Sequence, residues 1–521
     1  MSPLSKLLHN LPPQYVGYVY AILPLLIIWV SWRLWRFTIS PILHPELPKE
    51  LPYWIPFLGH GPAFFKSSEA LVARASKHCG RQEPFAITLF GSTLYIVTNP
   101  QHTVEVYKSN HSLSFDEFAE ELVRTNGYSK WAAKTSYTDL PKGKAGFPNP
   151  KGTSFGGLIR QMHIHQLYPG DRLRVIEDQF LGWYDRNLQL KSIQTGSMVH
   201  SSNGNDTTVP LMAWVSDYVT RAGEAAYFGD SLGSIDPDLA RAFLEFDDLS
   251  WQVLYRYPAF LSRRMRSARQ QMMQAFSKYL AIPQEQRTNS VWLLKAMEDE
   301  ARGLGIHDQD IAVLYFNIYW LINTNTRKIA FWMLAFLLHC DGSLIEPIHA
   351  EIDGAFQGDT LTNLTYIYQS CPTLDRVWHE SLRLCSNAAS VRLIRSDTTI
   401  GGKRMLRGNR IMIPYRQLHF DGRVYGADPD NFHPERFDKA KRGGDPTKGP
   451  SWRPFGGGNT LCTGRYIARR STLIFVALLL RRFDLELVEP TGPPVPDIGR
   501  PVLGISGIKE TEDFMVKLTP R

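Results

Sequence analysis

No charged side chain occurs between Asn10 and Trp32, in the run NLPPQYVGYVYAILPLLIIWVSW. That run restricts what this part of the chain can become. A segment transferred into hydrocarbon must satisfy every backbone N–H and C=O internally, and a lone apolar segment does so only as a helix. Residues 15–32 approach the ~20 residues that a spanning helix needs. Tyr and Trp crowd its two ends, as at a membrane interface. No small-residue cleavage pattern follows, so the segment reads as a retained anchor and not as a removed signal peptide. Arg33 and Arg36 follow it against Lys6 ahead, an excess that places the rest of the chain in the cytosol. A buried core helix or an interfacial segment is the other reading of the same run.

Residues 40–61, SPILHPELPKELPYWIPFLGHG, hold five prolines. Proline lacks the helical donor, so a stiff, extended lead is expected here. The chain divides into an anchor at residues 1–36, a proline-rich lead at 37–61 and one large domain at 62–521. That length carries a sizeable core, with 43% hydrophobic and 21% charged residues. The net charge of +8 is mild for 521 residues. No Lys/Arg run is interleaved with aromatics, so no nucleic-acid groove is expected. The basic excess reads as solvated surface, or as a face turned to an anionic membrane or an acidic partner. Five cysteines (Cys79, Cys340, Cys371, Cys385, Cys462) without a C-x-x-C argue against a disulfide framework or a zinc site.

Residues 85–100 read as two strands around Gly91 and Ser92, and most of 155–390 as long amphipathic helices. Residues 192–209 are polar and read as a surface excursion. Residues 391–419 return to short strands with glycine turns, 471–487 read as a buried helix, and the chain closes with a strand. The fold class is mainly α with small β-sheets, behind one N-terminal transmembrane helix.

The stretch FGGGNTLCTG spans residues 455–464. A useful cysteine thiolate needs stabilisation. The glycines before Cys462 let backbone N–H groups turn toward the sulfur, and a helix beginning just after it offers its positive end. Gly464 has no Cβ and lets something flat come close. Together these features suit a thiolate ligand to haem iron. Taken alone, the stretch also reads as a glycine-rich loop around an incidental buried cysteine. Upstream, HESLRL places Glu380 and Arg383 one turn apart on one helix face. Between the two lies DPDNFHPERFD, residues 428–438, with Pro434, Glu435, Arg436 and Phe437 in sequence.

The order E-x-x-R, P-E-R-F, F-x-x-G-x-x-x-C-x-G, over essentially the whole chain, resembles that of the cytochrome P450 family. The resemblance implies the cytochrome P450 fold and haem b, with Cys462 as the axial thiolate and metal ligand. Phe455, Gly458, Thr460 and Gly464 belong to the same cofactor-binding loop. Glu380, Arg383 and Arg436 are expected to form a buried charge network that holds it. The implied activity is oxygen insertion into a substrate, with NADPH supplying electrons through the FAD and FMN of a separate reductase and cytochrome b5 as a further candidate donor. The implied location is the endoplasmic reticulum membrane, single-pass, with the catalytic domain cytosolic.

Two positions depart from the family pattern. Thr460 stands where Arg or His usually meets a haem propionate, so another cation should compensate. Arg392, Arg395, Arg160 and His163 are candidates, with His419 in the segment before P-E-R-F, and residues 154–166 hold no W-x-x-x-R. In the long helix expected at 315–338, the A-G-x-D/E-T/S pattern aligns with Ile322, Asn323, Thr324, Asn325 and Thr326. Asn325 takes the place of the acid and Thr326 that of the alcohol in the proton relay. Asn cannot titrate but can orient a water. These departures resemble the branch of the bile-acid sterol hydroxylases and prostacyclin synthase. ASVRLIRSDTTI and SWRPFGGGNTLCTGRYIARR resemble fungal natural-product monooxygenases.

A bulky apolar substrate is expected against Phe316, Trp320, Ile322, Ala388, Ala389 and Val391: a terpenoid, meroterpenoid, sterol or polyketide. Arg453, Arg465, Arg469 and Arg470 offer a basic face to an acidic reductase. Asn325 is also compatible with an isomerase or dehydratase that acts on a peroxide. A non-catalytic haem-binding protein is a third reading. No P-loop, H-E-x-x-H or G-x-S-x-G is present. His163 and His165 read as structural or haem-edge groups and not as a metal pair. The sequons at Asn110, Asn205 and Asn363 would be silent in a cytosolic domain.

Overall fold

The hairpin expected around Gly91 forms, and it founds the larger sheet. In the computed structural model, which describes residues 13–521 apart from Arg81, Gln82, Ala145 and Asp341, six strands join in this sheet. They are β1 (Lys49–Glu50), β2 (Phe85–Leu89), β3 (Ser92–Ile96), β4 (Leu113–Ser114), β6 (Ala389–Ile394) and β7 (Arg410–Pro414). Their order is β1-β2-β3-β7-β6-β4. Phe90 at φ 49° and Gly91 at φ 82° make the turn between β2 and β3. A second sheet joins β5 (Thr207–Pro210), β8 (Phe483–Leu487) and β9 (Met515–Pro520). Residues 192–209 are therefore not wholly a surface excursion: Thr207 and Val209 are buried and alternate inward along β5.

The anchor helix α1 (Pro13–Leu34) contains Pro24. Helical backbone continues through Trp35–Ile39 and Ser40–Leu43, beyond the boundary expected at residue 36. Pro41 directly follows a π-helical turn, in which the Ser40 N–H reaches back five residues to Trp35 O, and that widened turn accommodates the donor that proline lacks. The apolar span Ala21–Leu43 has none of its length buried in the protein. Residues 1–12, Lys6 among them, lie outside the described residues. Trp29 stacks on Trp54 at 5.6 Å and donates to its carbonyl at 2.7 Å, while Arg33 donates to Tyr53 O. The helix is thus tied to the proline lead.

The helices that position the site are α2 (Asp116–Thr125), α3 (Phe155–Leu167), α4 (Asp171–Asn187), α5 (Leu211–Phe228), α6 (Leu239–Asp248), α7 (Arg263–Ala281), α8 (Asp308–Asn323), α9 (Thr326–His339), α10 (Pro372–Cys385) and α11 (Arg465–Arg482). Helices α8 and α9, and residues 471–480 of α11, are mostly apolar and buried along most of their length, as a helix without a polar face must be. Helix α9 packs on α5, α10 and α11. The helix expected at 471–487 ends at Arg482 and gives way to β8.

Candidate active site

Cys462 lies between a one-turn helical segment, Gly458–Thr460, and the start of α11. Its backbone N–H donates to Phe455 O at 3.0 Å, which closes the loop on itself. The three glycines have a different task from the one expected. Gly456 and Gly458 take φ of 76° and 59°. A Cβ on Gly457 would fall 2.7 Å from the ring of Tyr107, and one on Gly456 would fall 3.1 Å from the Tyr415 hydroxyl. The glycines let the loop lie on the Tyr107–Tyr415 pair, whose hydroxyls meet at 2.8 Å. The N–H groups that reach the sulfur are those of Gly464 and Arg465, at the entrance to α11. Burial pushes the Cys462 thiol up, against these donors and the charges of Arg465 and Arg160. Cys462 is nonetheless an exposed residue. A Cβ on Gly464 would meet only Cys462 Sγ at 3.9 Å and Ile467 at 4.0 Å, which leaves that side open to a flat group.

Two guanidinium groups reach this loop, and a third stands just before it. Arg392, 1% exposed, donates from Nη2 to Thr460 Oγ1 at 2.8 Å, and Thr460 in turn donates to Gly457 O at 3.0 Å. Arg160 of α3 donates from Nε to Asn459 O at 2.6 Å. Arg453 donates to Gly449 O and Trp452 O. Arg160 Nη1, Arg392 Nε and Arg453 Nε are buried without partners, and none of the three residues pairs with a carboxylate among the described residues. Burial pulls the Arg392 and Arg453 guanidinium groups down. Uncompensated buried cations are costly, and an anionic ligand relieves that cost. Haem, planar and bearing two carboxylates, fits this set of donors. The other sequence candidates separate from it. Arg395 pairs with Glu117 at the surface at 2.6 Å, and His163 bonds back to Ile159 O within α3.

Glu380, Arg383 and Arg436 do come together. Arg383 grips both oxygens of Glu380 at 2.8 Å, and Arg436 Nη1 reaches Glu380 Oε1 at 2.7 Å. Glu380 and Arg383 are fully buried. Arg383 also donates to the carbonyls of His419 and Pro429, and Arg436 to that of Tyr425. The segment before the cysteine loop is thereby laced onto α10. His419 carries the linkage onward, since its Nε2 accepts the Arg453 N–H at 3.0 Å. Burial and the neighbouring Arg383 hold this imidazole neutral, its pKa lowered to about 3.

The long helix expected at 315–338 is interrupted at Thr324 and Asn325, between α8 and α9. Thr326 donates its hydroxyl to Ile322 O at 2.8 Å. Asn325 Oδ1 accepts the Ile505 N–H at 2.8 Å, so its carbonyl is taken up by the C-terminal loop. Asn323 turns into α5. Each asparagine faces a glycine: a Cβ on Gly223 would fall 2.2 Å from Asn323 Oδ1, and one on Gly504 2.2 Å from Asn325 Oδ1. No hydrogen bond joins Asn325 or Thr326 to the cysteine loop among the described residues.

Phe316 and Trp320, expected toward a substrate, pack instead on Phe246 of α6 with ring centroids 5.0 and 5.1 Å apart. Leu321, which the sequence reading missed, is 55% exposed beside Trp320 at 1%. Ala389 at the start of β6 is exposed in the same way. No signal in the sequence sets Leu321 apart from its apolar neighbours. The expected basic face is also reduced. Arg469 pairs with Asp375, Arg470 with Glu177, and Arg465 lies over the rings of Tyr168 and Tyr466. His165 packs edge-on against Trp292 at 4.9 Å. No group of three or more metal-ligating His, Cys, Asp or Glu side chains occurs among the described residues.

A family model described as Cytochrome P450 matches residues 195–511, more than half of the chain. Cytochrome P450 monooxygenase poxD of Penicillium oxalicum is 26% identical, covering 87% of this chain and 90% of the relative. Cholesterol 7-alpha-monooxygenase of Cricetulus griseus is 27% identical, with 89% and 92% covered. The retinoic-acid-bound structure of cyanobacterial CYP120A1 superposes with a TM-score of 0.68 at 18% identity, covering 91% of this chain and 99% of that one. That last likeness is one of fold.

Proposed function

The chain belongs to the cytochrome P450 family and is a haem-thiolate monooxygenase, and from that premise we propose that it oxidises a bulky, lipid-soluble substrate at the membrane. We assign Cys462 as the thiolate ligand. One observation supports this reading: a thiol that meets two backbone N–H groups lies in a loop reached by Arg160 and Arg392 and preceded by Arg453, none of them paired with an acid among the described residues.

When bound, haem supplies the electron-transfer and dioxygen chemistry, with the thiolate pushing electron density toward O–O cleavage. The chain's own residues provide the rest. Gly464 N–H and Arg465 N–H stabilise the anionic sulfur. Arg160, Arg392 and Arg453 hold the two cofactor carboxylates, with Thr460 fixing Arg392 by accepting its Nη2 proton. Phe455 and Gly458 keep the loop shut and seated. Glu380, Arg383 and Arg436 lock the approach to that loop. Thr326 holds a hydroxyl proton that is shared with Ile322 O at rest and can be turned toward the reacting oxygen. Asn325 contributes Nδ2 protons that fix a water, while its Oδ1 stays with Ile505. Leu321 and Ala389 present apolar surface to the substrate.

A terpenoid, meroterpenoid, sterol or polyketide skeleton suits that surface, in line with relatives named as fungal monooxygenases and a sterol hydroxylase. In this reading electrons come from NADPH through a separate reductase, or through cytochrome b5. Residues 1–36 anchor the domain to the endoplasmic reticulum with the lead at 37–61 between them. Exposed Trp54, Phe57 and Phe260, at 70%, 71% and 67%, continue the apolar surface beyond α1.

The test uses microsomes that hold the protein and a reductase, a lipophilic extract and isotopically heavy O2. A labelled product that requires NADPH is expected. An unlabelled product formed without NADPH would instead make this an isomerase acting on a peroxide. Cys462→Ala should abolish both turnover and the thiolate-type spectrum of the reduced CO complex. Either one persisting would remove the assignment of Cys462.

A further inference from the structure

One buried carboxylate outside the cysteine loop meets the interrupted helix from both sides of its break. Asp247, in the last turn of α6, has a side chain 1% exposed. Its Oδ1 accepts from Trp320 Nε1 at 2.9 Å and from Thr324 Oγ1 at 2.6 Å. Its Oδ2 meets Arg327 Nη2 at 2.6 Å and Lys328 Nζ at 2.8 Å. Trp320 and Thr324 stand before or at the break, and Arg327 and Lys328 stand after it. The spacing 320, 324, 327 and 328 is that of one helical face, so a single acid keeps both halves in one register across the interruption. Arg327 extends the cluster to Ser216 of α5 at 2.9 Å and to Asp248 at 2.6 Å, whose side chain is 65% exposed. Two acids and two bases then cancel.

Buried ion pairs add little stability over apolar packing of equal volume, so what this cluster supplies is geometry. Left unbraced, the helix could swivel at Thr324 and Asn325. Neither Asn325 nor Thr326 bonds to Asp247. They project away from the braced face, toward Ile505 and Ile322. We propose that Asp247 is a positioning residue for oxygen activation: it sets the angle between α8 and α9, and with it the direction in which Thr326 and Asn325 face the reacting atoms. This rests on the reading of Thr326 given above.

The test takes full-length holoenzyme in lipid nanodiscs with reductase. Asp247→Asn leaves two buried cations with reduced compensation and can fail to fold. Thr324→Val and Trp320→Phe each remove one neutral donor and leave the charges balanced. Three quantities are read: amide hydrogen exchange of residues 321–329, peroxide released per NADPH, and the reduced CO spectrum. Thr324→Val should speed exchange in that segment by about tenfold and raise peroxide release by about threefold, with an unchanged CO spectrum. Trp320→Phe should do the same to a smaller degree. Faster exchange at normal coupling would make Asp247 merely structural and overturn the proposal, as would no change in either quantity. Thr326→Ala separates the two failures. If it stays coupled, the reading of Thr326 has failed and this role for Asp247 goes with it. If it leaks peroxide while Thr324→Val does not, the brace alone has failed.

Discussion

At position 460 a hydroxyl receives a guanidinium where a cation was expected to be supplied, and the charge arrives from β6 instead. Arg392→Ala should therefore hasten haem loss to a scavenger globin by about tenfold or more, the scale of one lost charge-assisted hydrogen bond. Arg395→Ala should leave that rate unchanged, because Arg395 is bound to Glu117 at the surface. Three residues apart, one in β6 and the other just past its end, the two arginines cannot be ranked by eye. What separates them is which side of the sheet each leaves on and what it meets there. The glycines of the loop were legible as a requirement but not by cause. The ring they make room for, that of Tyr107, lies far upstream in the chain. Cys462 itself was legible, because the spacing around it is local.

Between α8 and α9 the break is an element-scale feature that composition conceals. Residues 315–338 are apolar enough to read as a single helix, and only tertiary partners reveal where it stops. Gly504→Ala should cost about 1–3 kcal/mol, since its Cβ would enter the Asn325 amide and moving that amide would break its hydrogen bond with the Ile505 N–H. A fall in the thermal midpoint in nanodiscs reads this out, and Gly303→Ala, where no atom lies within 4 Å, is the control. A second prediction belongs to the packing of α5 on α8. Burial raises Glu224 to about 7, only partly offset by the Tyr319 hydroxyl at 2.7 Å and by Arg221. The folded state then holds a proton that the unfolded chain releases above its ordinary carboxylate range. Stability should fall as pH rises from about 4.5 to about 7, by roughly 3 kcal/mol in all. Glu224→Gln should flatten that slope in denaturation curves taken at several pH values, and should be the more stable form at pH 8. A slope that persists in the variant would place the proton elsewhere.

For the whole molecule, the order of motifs along the chain was enough to give the architecture, because each motif marks an element that the fold must place near one loop. The register of the anchor was less legible, since Pro41 reads as a stop and is accommodated by the π-helical turn before it. Removal of residues 1–43 should not free the domain entirely from membranes. Trp54, Ile55, Phe57, Phe260 and Leu261 remain exposed, and flotation with liposomes should recover the truncated protein in the lipid fraction. Recovery in the soluble fraction alone would confine membrane contact to α1. The contacts at the break also reach across the molecule, since Asn325 and Ile505 are separated by 180 positions. Asn323 with Gly223, and Asn325 with Gly504, are filled and emptied volumes that fit only as pairs. Either glycine can grow only after its asparagine has shrunk or moved, whereas loss of volume at the asparagine alone meets no collision. Each pair should therefore change in a fixed order, and related chains with a larger residue at 504 should carry a smaller one at 325.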